Sequence, residues 1–216
     1  MPLVYHEWIN DNLQLALWHI TESPEELCAQ LFLNKEEFDT LDSFKSKSRK
    51  KQWLSYRALI RHMVETDFIF RIHYDEHKKP YLVNPPRSIS ISHCSSYSAV
   101  LISRNLEIQH GVDVEPVDPK ILKVLNKFLN VNEEKEWEKD KNMTKAVAYW
   151  SMKEALFKAN GKKGLTLKEN VSVLPFDMSS KAKIQGFVKS NDYTNHYQLH
   201  FRQFNGLIIA IAFEDV

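Results

Sequence analysis

The sequence predicts an α+β fold in which helices pack on antiparallel sheets. Residues 88–103 contain two alternating apolar strands on either side of a short polar loop, which is the pattern of a β-hairpin. A long helical pattern over 146–164 is followed by four short strands. Because strands joined by short loops pair antiparallel, these observations indicate antiparallel sheets covered by helices. The four strands that follow the long helix are 171–174, 183–189, 197–201 and 207–213.

Composition limits the classes of protein that fit this chain. Its 216 residues, 43% hydrophobic and 26% charged, can bury the core of one domain or of two small ones. A net charge of +1 argues against a protein that wraps nucleic acid. The two cysteines, Cys28 and Cys94, provide neither a disulfide framework nor a zinc quartet, so we expect a cytoplasmic protein. There is no apolar run of membrane-spanning length and no signal-peptide pattern, so we expect no membrane association.

The N-terminal part is predicted to contain one strand and three helices. Alternation predicts a strand over 13–19, and Ser23 followed by Pro24 is typical of a helix N-terminus. Further helices are expected over 34–41 and 44–66. The last begins with a basic run, which is either a solvated face or a surface for an acidic partner, a nucleotide phosphate or nucleic acid. The basic residues are Lys45, Lys47, Arg49, Lys50 and Lys51.

A strand over 111–115 carries two carboxylates on one face. Val112 and Val114 alternate with Asp113 and Glu115, so the two carboxylates point the same way. Their Cα atoms would be about 7 Å apart, twice the strand rise, which suits two oxygen ligands of one Mg²⁺. Ordinary polar-out alternation in a half-exposed strand is the alternative. Prolines then break the chain, and a helix is expected over 120–129.

The helix over 146–164 is expected to end at its glycines and to have two different faces. Trp150, Glu154 and Lys158 share the face opposite the core, flanked by Lys153 and Phe157, and such a wall suits a bound phosphate. An exposed Glu–Lys pair contributing about 0.3–0.5 kcal/mol is the alternative. The face predicted to meet the core comprises Ala148, Met152, Ala155, Leu156 and Ala159.

Two of these segments together resemble the signature of the 4′-phosphopantetheinyl transferases. The family pattern is a Gly-(Ile/Val)-Asp-(Ile/Val)-Glu strand followed by a Trp-Ser-x-Lys-Glu-Ala-x-x-Lys helix, matched here by 111–115 and 150–158. Lys79-Pro80 is similar to the family's Gly-Lys-Pro turn, Ile91-Ser92-His93 to its Ile-Ser-His strand end, and 128–133 to its Phe-Phe segment ending in glutamate. Pro80 also disfavours helix at Lys79.

The resemblance, which covers residues about 57 to 165, implies a fold of two similar α/β halves that form a pseudo-dimer within one chain. The halves would be 1–105, with the contacts to the coenzyme A nucleotide, and 106–216, with the metal site and the signature helix. The length of the chain favours the longer, single-chain branch of the family, and hence a monomer.

The resemblance also implies an activity of the holo-[acyl-carrier-protein] synthase type. Such an enzyme uses Mg²⁺ to transfer the 4′-phosphopantetheine of coenzyme A to a serine of an acyl or peptidyl carrier protein, releasing adenosine 3′,5′-bisphosphate. In the family, the segment after the metal strand helps to receive the carrier protein; core packing is the alternative for 120–129. A catalytically silent module that binds coenzyme A or a carrier protein is a rival, as is a nucleic-acid-binding protein using residues 45–51.

By this resemblance, Asp113, Glu115 and Glu154 would hold Mg²⁺, while Lys153 and Lys158 would neutralise the phosphates. Either Glu133 or Glu154 would assist removal of the serine proton. Lys78 stands where the family usually has glycine. The backbone angles of that turn could therefore differ from those of the family. The residues expected to contact coenzyme A are Arg57, Lys79, Pro80, Ser92, His93, Asp113, Lys153 and Lys158.

Overall fold

The first of two antiparallel sheets is formed by the N-terminal part of the chain. The computed structural model describes residues 2–64, 69–179 and 183–214. In the first sheet the strand order is β1-β2-β6-β5-β4-β3, and every neighbouring pair is antiparallel. The sequence patterns predicted β2, β5 and β6 but missed β1, whose side chains are only half-buried or exposed. The strands are β1 (Leu3–Trp8), β2 (Leu13–His19), β3 (Ile72–Tyr74), β4 (Pro80–Leu82), β5 (Arg87–His93) and β6 (Tyr97–Ser103).

The second sheet is formed by the C-terminal part and confirms the antiparallel arrangement predicted there. Its strand order is β7-β11-β10-β9-β8. With the packed helices, the two sheets confirm the α+β fold of two halves. The boundary between residues 105 and 106 stays a prediction. The strands are β7 (His110–Pro116), β8 (Val171–Val173), β9 (Ile184–Lys189), β10 (Thr194–Phe204) and β11 (Leu207–Phe213).

The first three helices begin at side-chain caps that the sequence provides. Ser23 and Asn34 form capping boxes at the starts of the first two helices, and Ser46 caps the third. The third helix therefore begins three residues after the predicted Phe44, and its predicted end, Thr66, lies outside the described residues. Within the described ranges, no helix is long and apolar enough to span a membrane. The helices are α1 (Pro24–Cys28), α2 (Lys35–Ser43), α3 (Lys47–Met63), α4 (Leu125–Phe128), α5 (Val131–Trp137), α6 (Met143–Asn160) and α7 (Leu167–Asn170).

The single helix predicted over 120–129 is wrong. A 3₁₀ helix, Pro119–Lys123, starts at a cap from Asp118, and α4 follows as a single turn. Between them Val124 has φ −125° and ψ 8°, outside the helical region, which interrupts the backbone hydrogen bonding of a continuous helix.

The elements pack in four layers: helix, sheet, sheet, helix. The outer face of the first sheet packs against α3, and the outer face of the second sheet packs against α6. The inner faces meet in a third apolar cluster, where Leu15 and Leu17 of β2 lie with Val112 of β7 and Ile209 of β11. The predicted core-facing stripe of α6 is confirmed, because all five of its residues are fully buried.

Candidate active site

A cavity of about 560 Å³ opens where β4, β5, β7, α3 and the C-terminal half of α6 meet. Asp113 and Glu115 are the two carboxylates of its lining. Cations from four separate segments surround them, so the cavity suits an anionic ligand with several phosphate groups. These cationic residues are Arg49, Lys78, Lys79, Lys158, Lys162 and Lys163.

Gly111 allows β7 to lie directly against α6. A Cβ atom at this position would stand 2.1 Å from the carbonyl oxygen of Ala155 and 2.6 Å from the amide nitrogen of Ala159. Since any side chain would collide with the backbone of α6, only glycine permits this approach. The close contact brings Asp113 of β7 within reach of Lys158 on α6.

Asp113, on the second sheet, is held by hydrogen bonds from the first sheet and from α6. Its Oδ1 accepts a hydrogen bond from Lys158 Nζ at 2.8 Å and another from Ser92 Oγ, on β5, at 2.8 Å. Lys158 Nζ also donates to the carbonyl oxygen of Val112 at 3.0 Å. The Asp113 side chain is buried, and within the described part of the chain its Oδ2 has no hydrogen-bond partner. The structure therefore brings three of the predicted site residues together and leaves one buried carboxylate oxygen available.

Glu115 and Glu154 are both affected by burial and by the charge of Asp113. Trp150 Nε1 donates to Glu115 Oε1 at 3.3 Å, so the signature helix orients this carboxylate. Burial and the neighbouring Asp113 raise the pKa of Glu115 to about 7. Burial and Asp113 also raise the pKa of Glu154. Two glutamates whose pKa values are raised by burial and by Asp113 form, with that residue, a site that a bound cation would stabilise.

The chemistry of these carboxylates fits a hard divalent cation, since their oxygen atoms are the ligands that Mg²⁺ prefers. The free Oδ2 of Asp113 agrees with such a role. Over residues 2–64, 69–179 and 183–214, however, no group of three or more His, Cys, Asp or Glu side chains has the close arrangement that would hold a metal ion. Metal binding by all three carboxylates would therefore require them to come closer together.

Arg49 and His93 form a polar pair on the cavity wall. Arg49 NH1 donates to His93 Nε2 at 2.7 Å. Burial, together with the Arg49 guanidinium, lowers the pKa of His93, which favours the neutral ring that accepts this hydrogen bond. The predicted residue His93 thus lies in the cavity beside an arginine from the basic run of α3.

A comparison with protein-family models bears on this cavity. Residues 109–212 match the model of the 4′-phosphopantetheinyl transferase superfamily. These residues form a domain of that superfamily. The domain contains β7 and α6, and with them Asp113, Glu115, Glu154 and Lys158. A comparison with curated proteins gave no match.

The turn before β4 lies outside the matched superfamily segment. At Lys78 it has the backbone conformation that a glycine would adopt there. Lys78 has φ +66°, the left-handed conformation that glycine adopts most easily. Asp75 Oδ1 accepts hydrogen bonds from the amides of His77 at 2.9 Å and Lys79 at 2.7 Å, which stabilises the turn. Lys78 therefore leaves the turn intact, and Pro80 lines the cavity.

Lys79 lines the cavity but points its amine towards the end of α6. Its Nζ donates to Gln109 Oε1 at 2.7 Å and to the carbonyl oxygen of Ala159 at 3.1 Å. Burial lowers the pKa of Lys79 to about 8. The amine thus pairs with one of the last carbonyls of the signature helix of the superfamily domain.

Arg57 does not lie in the cavity. Its guanidinium carbon is 3.4 Å from the ring centroid of Trp53, and its NH1 donates to Tyr56 Oη at 2.6 Å. Its Nε is 3.7 Å from Glu37 Oε1. The side chain is buried between these groups, with Tyr56 separating it from the cavity, so its predicted contact with coenzyme A is without structural support.

Lys153 and Glu133 also lie apart from the cavity lining. Lys153 is fully buried, and its Nζ donates to Glu133 Oε2 at 2.5 Å and to the carbonyl oxygen of Phe128 at 2.5 Å. Glu133 accepts further hydrogen bonds from the amides of Asn130 at 2.9 Å and Val173 at 2.8 Å. These contacts join α5, α6 and β8, which favours a structural role for the pair.

Several cavity residues were absent from the predicted site, among them Arg49, Tyr56, Lys162 and Lys163. Arg49 belongs to the basic run for which a nucleotide phosphate was one alternative, and Tyr56 follows on the same helix. Lys162 and Lys163 come just after the signature helix, where Gly161, with φ +69°, turns the chain back along the cavity. The sequence signal that could have identified Lys162 and Lys163 is their position directly after Gly161, the glycine that ends the helix.

Proposed function

We propose that this protein transfers the 4′-phosphopantetheine group of coenzyme A to a serine of an acyl or peptidyl carrier protein in a Mg²⁺-dependent reaction. The observation that carries the proposal is the Lys158–Asp113 contact at 2.8 Å inside a cation-lined cavity of a superfamily domain. A cation beside a buried carboxylate combines the two groups that pyrophosphate chemistry needs, one for the phosphates and one for a metal.

The cations of the cavity would bind the phosphates of coenzyme A. Arg49 provides a planar guanidinium, which suits a phosphate dianion better than an ammonium does. Lys158 lies on α6 and Lys162 follows that helix, and Lys79, in the turn before β4, points its amine towards the end of the same helix. Fixed cations from α3 and from the end of α6 support binding of a ligand with separate phosphate groups.

Asp113, Glu115 and Glu154 would hold Mg²⁺. When bound, the ion would neutralise charge on the pyrophosphate oxygens as the phosphorus–oxygen bond breaks. The unpartnered Oδ2 of Asp113 and the raised pKa values of the two glutamates support this set.

The reaction would exchange a phosphoanhydride bond of the pyrophosphate for a phosphoester bond to serine. The serine Oγ forms a bond to the phosphorus that carries pantetheine, and the bond from that phosphorus to the bridging oxygen breaks. Adenosine 3′,5′-bisphosphate leaves with the electron pair, while the serine proton passes to a carboxylate directly or through water. Glu154 is our choice for that carboxylate, because both oxygens of Glu133 already accept hydrogen bonds.

The segment after β7 would receive the carrier protein. Leu122 is 42% exposed and Val131 is 62% exposed, whereas Phe128 between them is buried. The same segment therefore both packs on the core and offers apolar side chains to a partner. Its exposed lysines, Lys120, Lys123 and Lys127, would suit an acidic surface.

Intact-mass spectrometry tests the proposal directly. Several unrelated apo carrier proteins are incubated with coenzyme A, Mg²⁺ and the protein, and we expect one carrier to gain one phosphopantetheine. Asp113→Ala or a chelator should abolish the gain, whereas Glu134→Ala, at an exposed carboxylate of α5, should not change it. Binding of coenzyme A without transfer to any carrier would favour the silent binding module.

We also propose that the protein is a monomer of the single-chain branch and works in the cytoplasm. The two sheets within one chain and the unpaired Cys28 and Cys94 support these assignments. Light scattering after size exclusion should give the mass of one chain, and a dimer mass would contradict this.

A further inference from the structure

Tyr193 contacts the end of the signature helix from a turn that contains none of the predicted site residues. It precedes β10, and its hydroxyl accepts a hydrogen bond from Asn160 Nδ2 at 3.1 Å. Lys162 Nζ stands 3.8 Å from the centroid of the Tyr193 ring, a cation–π contact. One tyrosine therefore touches both the last residue of α6 and a lysine of the cavity wall.

Asn160 is fixed by further contacts with β10. Its Oδ1 accepts hydrogen bonds from Asn195 Nδ2 at 3.3 Å and from Tyr197 Oη at 3.5 Å. Gly161 then adopts φ +69° and reverses the chain direction. The position of the loop that carries Lys162 is thus set by β10 and by the turn before it.

The contact with Tyr193 restricts a lysine that would otherwise move freely. Lys162 is exposed, and its amine would sample many rotamers without a partner. The ring occupies one side of the amine, so its remaining N–H groups are free to meet a phosphate in the cavity. A cation that is already in position loses less entropy when it binds an anion.

We propose that Tyr193 is a positioning residue for phosphate binding, acting through Lys162 without touching the ligand itself. The identity of the ligand, coenzyme A, rests on the proposed function. The role of Tyr193 is a separate statement, because it follows from its contacts with Lys162 and Asn160.

A double-mutant cycle tests this proposal. The dissociation constant of coenzyme A is measured by calorimetry in Mg²⁺ buffer for Tyr193→Leu, Tyr193→Phe, Lys162→Ala and the Tyr193→Leu/Lys162→Ala double variant. We expect Tyr193→Leu to weaken binding about threefold to fivefold, in line with one cation–π contact. Tyr193→Phe keeps the ring and should stay within about twofold. The double variant should bind no more weakly than Lys162→Ala alone.

Kinetics separate positioning from a general structural effect. Tyr193→Leu should raise the KM for coenzyme A and leave kcat within about twofold. Thermal unfolding checks that each variant is folded, and Tyr193→Gln replaces Tyr193→Leu if the latter is not. The proposal would be overturned if the folded variant without an aromatic ring bound coenzyme A as tightly as the wild type. It would also be overturned if the losses of affinity in the two single variants multiplied in the double variant.

Inorganic pyrophosphate is the second probe, because it makes the test independent of the transfer reaction. If coenzyme A binds but no carrier is modified, the proposed function fails while the cycle still decides the role of Tyr193. If coenzyme A does not bind, the same cycle with pyrophosphate decides it. Equal pyrophosphate binding by the wild type and Tyr193→Leu would then refute it.

Discussion

Ser92 Oγ donates a hydrogen bond to Asp113 Oδ1 at 2.8 Å, and this contact joins the two sheets at the floor of the cavity. Asp113 is therefore oriented by a serine of the first sheet as well as by Lys158 of α6. The serine was expected to bind coenzyme A, which stays a prediction, and its observed partner is the carboxylate. The following predictions start from this arrangement.

Removing the Ser92 hydroxyl should slow transfer as well as lower stability. In Ser92→Ala, Asp113 keeps Lys158 but loses one charge-assisted hydrogen bond, which contributes about 1.5–3 kcal/mol. We expect transfer to a carrier protein to slow about tenfold. Ser103→Ala is the matched control, since Ser103 is also buried but accepts from the amide of Asn105, away from the cavity. Equal transfer rates in the two variants would contradict this role of Ser92.

Gly111→Ala should destabilise the protein strongly. The new Cβ would overlap backbone atoms of α6, which do not move without separating β7 from the helix, and we expect a loss of about 3 kcal/mol or more. Gly164→Ala makes the comparison, because its Cβ would meet no atom within 4 Å and only its φ of +81° carries a cost, of about 1 kcal/mol. Urea unfolding measures both, and similar midpoints would rule out the steric argument.

Lys78→Gly should stabilise the turn before β4. A lysine with φ +66° carries a conformational cost of about 1–2 kcal/mol that glycine avoids, partly offset by the greater freedom of glycine in the unfolded chain. We expect a gain of up to about 1 kcal/mol in the free energy of unfolding. Lys78→Ala removes the charge but keeps the Cβ, so it should show no gain. A gain in the alanine variant would mean that the charge, rather than the backbone, is responsible.

His110 should make the fold sensitive to acid. Burial, and next the nearby Lys79, lower the pKa of His110 to about 3, so the folded state keeps the ring neutral where the unfolded chain binds a proton. Its contribution to stability is therefore complete above about pH 6.5 and falls by about 1.4 kcal/mol per pH unit towards pH 3.

Urea unfolding at pH 7 and pH 4.5 measures this contribution. His110→Gln should reduce the difference in stability between the two pH values, although it will lower stability at pH 7 because the ring is fully buried. His196→Gln, at an exposed histidine, should leave the difference unchanged. If His110→Gln also leaves the difference unchanged, His110 is not the acid-sensitive group.

Arg49 and Arg57 should respond differently to substitution. Arg49→Met removes a cation from the cavity and should weaken coenzyme A binding about tenfold, or 1.4 kcal/mol. Arg57→Met removes a buried contact with Trp53 and Glu37, so it should lower the unfolding midpoint and leave the affinity of the folded protein nearly unchanged. Calorimetry and urea unfolding, done on both variants, test this pair of outcomes. The reverse pattern would restore Arg57 as the phosphate ligand.

The sequence predicted the parts of the site that local periodicity controls. Alternation placed Asp113 and Glu115 on one face of a strand, and helical spacing placed Lys158 on the face of α6 that meets them. Both are properties of a single element. The buried stripe of α6 was predicted for the same reason.

Periodicity does not predict the contacts of an element with the rest of the molecule. Arg49 and Arg57 share one helix, about 80° apart around its axis, and periodicity does not say which direction faces the cavity. Lys153 is adjacent to Glu154, yet its amine meets the carbonyl oxygen of Phe128, a contact that depends on the path of the chain through α4. Such contacts are set by tertiary packing rather than by local spacing.

The four-layer packing has a practical consequence for work with fragments. Residues 109–212 contain the superfamily domain, but Arg49 comes from α3, and Ser92 and His93 come from β5 of the first sheet. A fragment cut after Asn105 would expose the apolar inner face of the second sheet to water and would lack half of the cavity wall. Aggregation and loss of ligand binding would therefore occur together, so the smallest useful sample for a binding assay contains both sheets.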